Sequence, residues 1–389
     1  MSEWDVLSFS EKMQWQGGIG HTIKQILPRL AQSRKVVNFD PPIEWRRAIR
    51  CPAKLTKVGH NLWHFEWGRL FPLIRRPHTA AAALRFLRGI LVRYLCIRLG
   101  IGDHIYLVWN PCQAPVVLGL PPRFTVYYAY DLFEQWHYDR EEWKKETIIN
   151  EECLARISEV GIGVTEVIAE TLRQRGCRRT DVVPNGVEYS KFAHCGQCRE
   201  PEDIAAIPRP RLGYVGGLSE YTSFRTLYEV AIRRPDWHLV LVGPTRGMTS
   251  EQREELNRLM NLPNVYMLGG KPYEVIENYM HGLDVGLAAF EMDRGGAFGG
   301  SSLKVYEYLA AGLPVVASPI PGVASLVDTV RIASSSEEWV YQIEQALEEN
   351  TPDLRRQRQE LAKHHSWDER ARYVVSIIEA AYQEWRQSR

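Results

Sequence analysis

Short apolar runs alternate with helical patterns along nearly the whole chain. Each run has the length and the content of aliphatic and aromatic residues that are typical of a buried strand. The first series of runs comprises residues 6–10, 35–39, 105–109, 124–128, 160–165 and 181–185. The second series comprises residues 211–216, 237–243, 264–268, 284–290 and 313–318. Strands that alternate with helices form parallel sheets with both faces covered, so the pattern predicts an α/β fold with two doubly wound, Rossmann-like domains.

A segment rich in proline and charge, residues 195–211, separates the two series and is expected to be a linker. We therefore predict an N-terminal domain over residues 1–195 and a C-terminal domain over residues 210–365. Residues 366–389 have a long helical pattern and are expected to pack back on the N-terminal domain. Open parallel sheets bind ligands beyond the carboxyl ends of their strands, so two such domains would face each other across a ligand-binding cleft.

The composition is that of a globular protein, with 45% hydrophobic residues and a formal net charge of +1. The cysteines show no disulfide framework, which favours reduced thiols in the cytosol. Cys195 and Cys198 are interpreted as loop cysteines, because no second pair completes a zinc site. The N-terminus lacks a secretion signal and no apolar run is long enough to span a bilayer. The predicted location is cytoplasmic, at the inner face of the cytoplasmic membrane.

Basic and aromatic residues are concentrated between positions 45 and 100. Residues 78–100 predict a helix in this region. Its expected apolar stripe is Leu84, Leu87, Leu91 and Leu95, and its expected cationic positions are Arg85, Arg88, Arg93 and Arg98. This combination favours an anionic membrane surface as a partner, and a surface helix with solvated arginines is the alternative. No nucleic-acid partner is predicted, because the chain contains no recognised nucleic-acid-binding module.

The stretch GGSSLKVYEYLAAGLPVVAS, residues 299–318, places small residues directly before a helix and a strand. Its backbone amides, the hydroxyls of Ser301 and Ser302 and the ammonium of Lys304 can together contact a diphosphate. Glu307 lies one helical turn further on and can accept hydrogen bonds from a ribose diol. A surface Lys–Glu pair behind a loop is the alternative. The coincidence of glycines, hydroxyls, a cation and an acid favours a nucleotide site.

Glycines also end two other strands of the second series. Gly216 and Gly217 follow one strand and Gly243 ends the next. Glycine lets backbone amides approach an anion, and a helix start adds a positive dipole. Either turn taken alone is equally consistent with an ordinary tight connection.

These stretches together resemble the GT-B-fold glycosyltransferases of the group 1 type over nearly the whole chain. The similar segments are residues 15–27, 182–192, 214–224, 282–290 and, most specifically, 301–316. The resemblance implies a nucleotide-diphosphate sugar, expected to be a UDP-sugar, on the C-terminal domain. The implied donor-binding residues are Gly216, Gly217, Gly243, Gly269, Lys271, Ser301, Ser302, Lys304 and Glu307. The implied acceptor-side residues are Gly17, Gly18 and His21, and His21 is equally well explained as a structural histidine. No cofactor or metal is expected, because a lysine and backbone amides can neutralise the diphosphate.

The segment SSLKVYEY is also similar to inverting glucuronosyltransferases of exopolysaccharide assembly, in which an aspartate after an acceptor-domain strand is the base. Asp131 follows the apolar run at residues 124–130 and could take a proton from an attacking sugar hydroxyl. Its alternative is to cap the helix that follows. Glu134, His137 and Asp139 are neighbouring alternates. Lys304 would stabilise the leaving diphosphate, and both inverting and retaining routes remain open.

The predicted function is that of an enzyme, a glycosyltransferase of bacterial surface-polysaccharide synthesis. It would transfer a sugar from a nucleotide-diphosphate donor to a lipid-linked or oligosaccharide acceptor. Two alternatives remain: a nucleotide-sugar epimerase of the same fold, and a non-catalytic partner in a polysaccharide-synthesis complex.

Overall fold

The computed structural model describes residues 4–15, 22–42, 52–68, 78–137, 140–193, 199–292 and 300–389; the side chains of residues 78–82 and 137 are not described. The chain forms two compact units. One contains Met1–Val183 together with Arg370–Arg389, and the other contains Pro184–Glu369.

The first unit is built on an eight-stranded sheet with the order β3-β4-β2-β1-β5-β6-β7-β8. Its strands are β1 (Asp5–Phe9), β2 (Val36–Phe39), β3 (Lys54–Gly59), β4 (Leu62–Glu66), β5 (His104–Val108), β6 (Thr125–Ala129), β7 (Val160–Gly163) and β8 (Thr180–Val182). Its helices before residue 184 are α1 (Thr22–Leu30), α2 (His78–Leu99), α3 (Ala114–Val117), α4 (Glu141–Ile157) and α5 (Glu166–Gln174). Neighbouring strands run parallel, except that β3 and β4 form an antiparallel hairpin.

The second unit is built on a parallel six-stranded sheet with the order β11-β10-β9-β12-β13-β14. Its strands are β9 (Arg211–Val215), β10 (His238–Val242), β11 (Val265–Gly269), β12 (Val285–Ala288), β13 (Val315–Ala317) and β14 (Val330–Ile332). Its helices are α6 (Tyr189–Ala193), α7 (Glu202–Ala205), α8 (Phe224–Arg233), α9 (Ser250–Met260), α10 (Ile276–His281), α11 (Leu303–Ala310), α12 (Ser336–Glu348) and α13 (Pro352–His364). The final helix, α14, spans Trp367–Gln387.

Alternation along the strands of the second sheet divides its core into two apolar clusters, one on each face. In β10, Val240 and Val242 belong to one cluster, whereas Leu239 and Leu241 belong to the other. Successive side chains of a strand point to opposite faces, so a strand that is apolar at every position must be covered on both sides. The helices provide that cover, and the prediction of doubly wound α/β architecture is confirmed.

The hairpin of β3 and β4 was not predicted from the sequence. Its turn is made by residues that include Asn61, whose φ of 50° lies in the left-handed region that asparagine tolerates. Lys54 and Lys57 in β3 and Trp63 in β4 belong to the basic and aromatic region. Their charge and aromatic content indicated a binding surface, and the two strands were not recognised from the sequence.

The division between the units differs from the predicted domain boundaries. Residues 184–193, predicted to close the N-terminal domain, lie in the second unit, where Phe192 is part of the apolar core and the Val187 N–H donates to the His365 carbonyl. Residues from Arg370 onward lie in the first unit. There Tyr382 packs edge-on against Phe124, with ring centroids 5.2 Å apart.

Helix α2 lies in the predicted place, but it faces the sheet with different residues than expected. Arg88, predicted to present charge at the surface, is buried, and its guanidinium carbon lies 5.8 Å from the centroid of the Trp67 ring. Burial lowers the pKa of Arg88 to about 10. Leu95 is buried as predicted, whereas Leu87 is exposed. Among the residues that the structure describes, no helix is both long and apolar enough to cross a bilayer.

Candidate functional site

The carboxyl edge of the second sheet contains a point where the connections change direction. Strand β9 lies between β10 and β12, so the chain leaves β9 toward one side of the sheet and later returns to its other side. In open parallel sheets, ligands bind in the crevice at such a point. Gly216 follows β9 at this edge, and Phe290 lies two residues beyond the end of β12.

Three glycines end neighbouring strands at this edge. Gly216, Gly243 and Gly269 have φ values of 142°, 155° and 71°, which side chains rarely adopt. The Gly216 N–H donates to the Val242 carbonyl, and the Gly243 N–H donates to the Gly269 carbonyl over 2.9 Å. A Cβ atom at Gly243 would lie 1.8 Å from the Gly216 oxygen, so that position requires glycine. A Cβ atom at Gly217 would meet no heavy atom of the described residues within 4 Å, so there is space beside this residue.

The ammonium of Lys304 lies beside this glycine row. Its Nζ is 3.7 Å from the centroid of the Tyr214 ring and 5.0 Å from that of Phe290. A Cβ atom at Gly216 would be 3.4 Å from the same Nζ. Aromatic faces attract a cation, so these two rings hold the ammonium of Lys304 at the end of β9. The structure thus brings together Lys304 and Gly216, both predicted from the sequence.

A buried tyrosine fixes the helix that carries Lys304. The Tyr308 hydroxyl accepts a 2.7 Å hydrogen bond from the Val215 N–H and donates to the Gly213 carbonyl. These bonds attach α11 directly to β9, so the first turn of α11 cannot shift along the sheet without breaking them. Sequence reasoning missed Tyr214, Phe290 and Tyr308, although the position of the first two at strand ends was a usable signal.

The two predicted serines have different surroundings. Ser301 is buried, and its hydroxyl accepts a hydrogen bond from the Asn185 N–H over 3.3 Å. The Asn185 amide also donates to the Ser301 carbonyl over 2.7 Å. Ser302 is the N-cap residue of α11, and its side chain makes no capping hydrogen bond. The Ser302 hydroxyl is therefore the better placed of the two for a ligand, and Ser301 also holds the loop.

Glu307 lies on α11 in a region of mixed charge. Burial raises its pKa to about 7, although the nearby cations Lys304 and Lys191 oppose that shift. Lys191 was not predicted, and its Nζ is 2.6 Å from a carboxylate oxygen of Glu277 and 4.9 Å from the centroid of the Tyr273 ring. A carboxylate that is costly to ionise in isolation gains from hydroxyl donors, which is the property needed to bind a diol.

Lys271 is held away from the glycine row by other contacts. Its Nζ is 2.7 Å from a carboxylate oxygen of Asp203 and 5.1 Å from the centroid of the Tyr279 ring. The hydrogen bond to Asp203 raises the pKa of Lys271. The predicted donor-binding role of Lys271 would therefore require exchange of this ion pair, whereas Gly269 remains part of the row.

The first sheet has its own change of direction, at β1 between β2 and β5. Buried polar groups fill the carboxyl ends of these strands. The Gln113 amide donates to the carbonyls of Ser10 and Phe39, and the Asn38 amide donates to the Ser10 hydroxyl over 2.9 Å. These bonds fix the three strand ends in one arrangement.

Asp131 follows β6 at the same edge of the first sheet, as predicted. One carboxylate oxygen accepts from the Leu132 N–H and the other from the Trp136 indole, each over 2.8 Å. Burial raises the pKa of Asp131, and these two donors oppose the shift. An N-cap side chain accepts from the second or third helical N–H, so this bond to the next residue is a local turn contact and does not by itself support the helix cap that was the alternative to catalysis.

The other acceptor-side predictions have separate outcomes. Glu134 is ion-paired with Arg175, which also contacts Glu151, so it belongs to a structural network. The side chain of His137 and all of Asp139 lie outside the described residues, and so do Gly17, Gly18 and His21.

Two further acids at this edge were missed from the sequence. Glu11 follows β1, and burial raises its pKa while a hydrogen bond with Tyr130 opposes the shift. Asp40 follows β2 and lies 3.5 Å from His64. Ligand atoms of Asp40, His64 and Glu66 all lie within 4.8 Å of one another, so this group could hold a divalent cation. These acids lie at one edge because parallel strands end there. An acid directly after a predicted strand was therefore the signal that could have identified them.

The family model described as glycosyl transferases group 1 matches residues 209–349. These residues form a group 1 glycosyltransferase domain. The domain lies within the second unit and contains the glycine row, Lys304 and Glu307. The resemblance found in the sequence is confirmed for this part of the chain.

Over 155 residues the chain is 31% identical to TuaH of Bacillus subtilis (strain 168), which is named as a glycosyltransferase of teichuronic acid biosynthesis. The match covers 39% of this chain and 37% of that relative, so the chain spans well under half the length of the curated relative.

Solved structures match almost the whole chain. Sucrose-phosphate synthase from Thermosynechococcus elongatus gives a TM-score of 0.75 at 16% identity, covering 98% of this chain and 100% of that one. Anabaena Alr3699/HepE in complex with UDP and glucose gives a TM-score of 0.68 at 15% identity, covering 97% of this chain and 100% of that one. At these identities the likeness concerns the fold, and the prediction of a GT-B fold is confirmed.

Proposed function

We propose that this protein is a glycosyltransferase that uses a nucleotide-diphosphate sugar, with a UDP-sugar as the donor to test first. The observation that carries the proposal is the position of the Lys304 ammonium beside Gly216 at the carboxyl edge of the second sheet. The group 1 domain supports the reaction class. The UDP complex of Anabaena HepE, a protein of similar fold, supports the choice of nucleotide.

In this proposal each donor-site residue has a chemical task. Lys304, the Ser302 hydroxyl and the open backbone near Gly217 contact the diphosphate, and Lys304 stabilises the charge that grows on it as the glycosidic bond breaks. Glu307 accepts hydrogen bonds from the ribose hydroxyls. Gly243 and Gly269 keep the strand ends free of side chains so that the nucleotide can approach the backbone.

The first unit would bind the acceptor, and Asp131 would take the proton from its attacking hydroxyl. The donor sugar would then be inverted at its anomeric carbon. A carboxylate whose pKa is raised by burial is a better base near neutral pH than an exposed one. The relative TuaH, named for teichuronic acid biosynthesis, supports an acceptor that belongs to a bacterial surface polysaccharide. We propose that this acceptor is lipid-linked or an oligosaccharide, and that residues 45–100 bring the protein to an anionic membrane surface.

The test is a thermal-shift titration with UDP, GDP, ADP, TDP and CMP on wild type and Lys304→Met. A nucleotide at about 100 times its Kd should stabilise the wild type by roughly 2.7 kcal/mol, and the variant should lose most of that effect. Lys363→Met, at an exposed lysine of α13, is the matched control and should behave like wild type.

Turnover separates the proposal from its alternatives. Transfer from the matching sugar nucleotide to acceptor extracts supports it, whereas interconversion of the donor without an acceptor indicates an epimerase. If no nucleotide stabilises the wild type at millimolar concentration, the proposed donor site is wrong and a non-catalytic role is favoured.

A further inference from the structure

Helix α2 carries a second apolar stripe that points to solvent. Its sheet-facing side buries Val92, Leu95 and Cys96. The opposite side exposes large apolar residues at helical spacing: Phe86, Leu87, Ile90, Tyr94 and Ile97. Phe86 is 70% exposed and Ile97 is 72% exposed, so these residues do not contribute to the core. Since residues three, four and seven positions apart share one face of a helix, the exposed residues form one stripe about 16 Å long.

The charged residues that α2 itself carries are all positive. Arg85, Arg93 and Arg98 are exposed on the same helix, and residues 78–99 contain no aspartate or glutamate. The stem of Arg85 packs near Gly119, where a Cβ atom would lie 3.0 Å from its side-chain carbons. Arg93 and Arg98 lie on either side of the stripe on the helical wheel. The surface is thus apolar along its middle and cationic at its margins.

We infer that the outward stripe of α2 is a membrane-docking surface that lies flat on an anionic bilayer. Aromatic and aliphatic side chains can enter the region between headgroups and acyl chains while flanking arginines contact lipid phosphates. A second copy of the chain is a poorer occupant, because pairing two such helices would bring like charges together. The inference rests on the proposed lipid-linked acceptor. Of the leucine stripe predicted from the sequence, the docking surface contains only Leu87.

The arginines and the isoleucines of this surface should contribute differently to the affinity for lipid. Each arginine near an anionic surface should contribute about fivefold to binding, and this contribution should weaken as salt rises. Each isoleucine that enters the interface should contribute roughly tenfold or more, with little dependence on salt. The two contributions can therefore be separated by changing the lipid charge and the ionic strength.

The experiment is sedimentation of the full chain with phosphatidylcholine vesicles, with or without roughly one third phosphatidylglycerol. Wild type should bind the anionic vesicles. Ile90→Ser with Ile97→Ser should weaken that binding by roughly a hundredfold. Ile149→Ser is the matched control, since Ile149 lies on α4 in the same unit and is 60% exposed. Arg93→Gln with Arg98→Gln should weaken binding to anionic vesicles by about 25-fold and abolish most of its salt dependence.

Several results would overturn the inference. These are absence of vesicle binding by wild type, unchanged binding by the isoleucine double variant, or an equal loss in Ile149→Ser. A wild-type dimer that Ile97→Ser converts to a monomer without lipid would identify a second copy as the occupant. Nucleotide-dependent stabilisation, measured on the same samples without vesicles, reports folding and the proposed donor site independently. Failure to bind lipid and failure to bind nucleotide are therefore distinguishable.

Discussion

The carboxyl edges of the two sheets carry different types of residue. In the second sheet the strand ends are glycines, and a lysine ammonium lies among them against two aromatic rings. In the first sheet the same edge carries Glu11, Asp40 and Asp131, whose carboxylates contact protein donors or a histidine. Both sheets have the same topological feature at this edge, a strand flanked by two connections of opposite direction.

This difference shows how one architecture can serve two chemical tasks. Strand ends without side chains and a lysine ammonium beside them suit a polyanion such as a diphosphate. Glu11 and Asp131, whose pKa values are raised by burial, suit the opposite task, accepting protons and binding hydroxyl groups. The topology determines where a ligand can approach, and the residues at the strand ends determine which ligand is favoured.

The sharpest test on the acidic edge is Asp131→Asn. An amide keeps an oxygen for the Leu132 N–H but cannot accept a proton, so kcat should fall by about a thousandfold, or roughly 4 kcal/mol. Nucleotide-dependent stabilisation should remain unchanged, because the donor residues are untouched. The measurement is initial rate at saturating donor and acceptor.

Trp136→Phe is the control for that substitution, since it removes only the indole donor to the carboxylate. We expect a loss of less than about tenfold in kcat. If Asp131→Asn retains wild-type kcat, the carboxylate only stabilises the local chain path, and the two edges are less different in function than proposed.

The glycine row at the edge of the second sheet can be disrupted by a substitution at Gly243. Gly243→Ala places a Cβ 1.8 Å from the Gly216 carbonyl oxygen, at a φ of 155°. Both the collision and the backbone strain must be relieved, so we expect the free energy of unfolding to fall by about 3 kcal/mol, with loss of nucleotide binding. Urea unfolding measures the first effect and thermal shift the second.

Gly217→Ala is the companion variant, because no heavy atom in the described part of the chain lies within 4 Å of its Cβ position. Its stability should change by less than about 1 kcal/mol. If Gly243→Ala loses no more stability than the small change expected for Gly217→Ala, the row tolerates a Cβ atom and its openness has another cause.

A smaller effect, on the pH dependence of stability, concerns Glu307 on α11, at the edge of the second sheet that carries the glycines. Its pKa rises from 4.5 to about 7 on folding, so between these pH values the folded state keeps a proton that the unfolded state has lost. Stability contributed by this group is therefore present below about pH 4.5 and decreases as pH rises toward 7. The decrease should be about 2 kcal/mol, less than the full shift implies because the side chain is partly exposed.

The measurement is the free energy of unfolding at pH 5 and pH 7.5 for wild type and Glu307→Gln. The substitution should remove this part of the pH dependence, since glutamine does not titrate. An identical pH dependence in both proteins would show that Glu307 ionises normally, and it would then resemble an ordinary surface acid.

Most of the second unit could be predicted from the sequence. Apolar runs predict five of its six strands, all except β14, and the stretch at residues 299–318 predicts the helix of Lys304 and Glu307. These features are local, because strand length, helix start and turn glycines all depend on a few adjacent residues. The first unit was predicted less completely: the β3–β4 hairpin was missed, and Arg88 was assigned to the surface.

The sequence by itself determined the alternation of strands and helices, the two-unit organisation and the chemical character of the loop before Lys304. Only the tertiary structure decided which side chains meet: Tyr214 and Phe290 around the Lys304 ammonium, Asn185 on Ser301, and an exposed stripe on α2 opposite its buried face. The physical reason is that periodicity specifies the faces of an element but not which face is covered. A helix that is apolar on two sides can bury either of them, and packing against the sheet makes that choice.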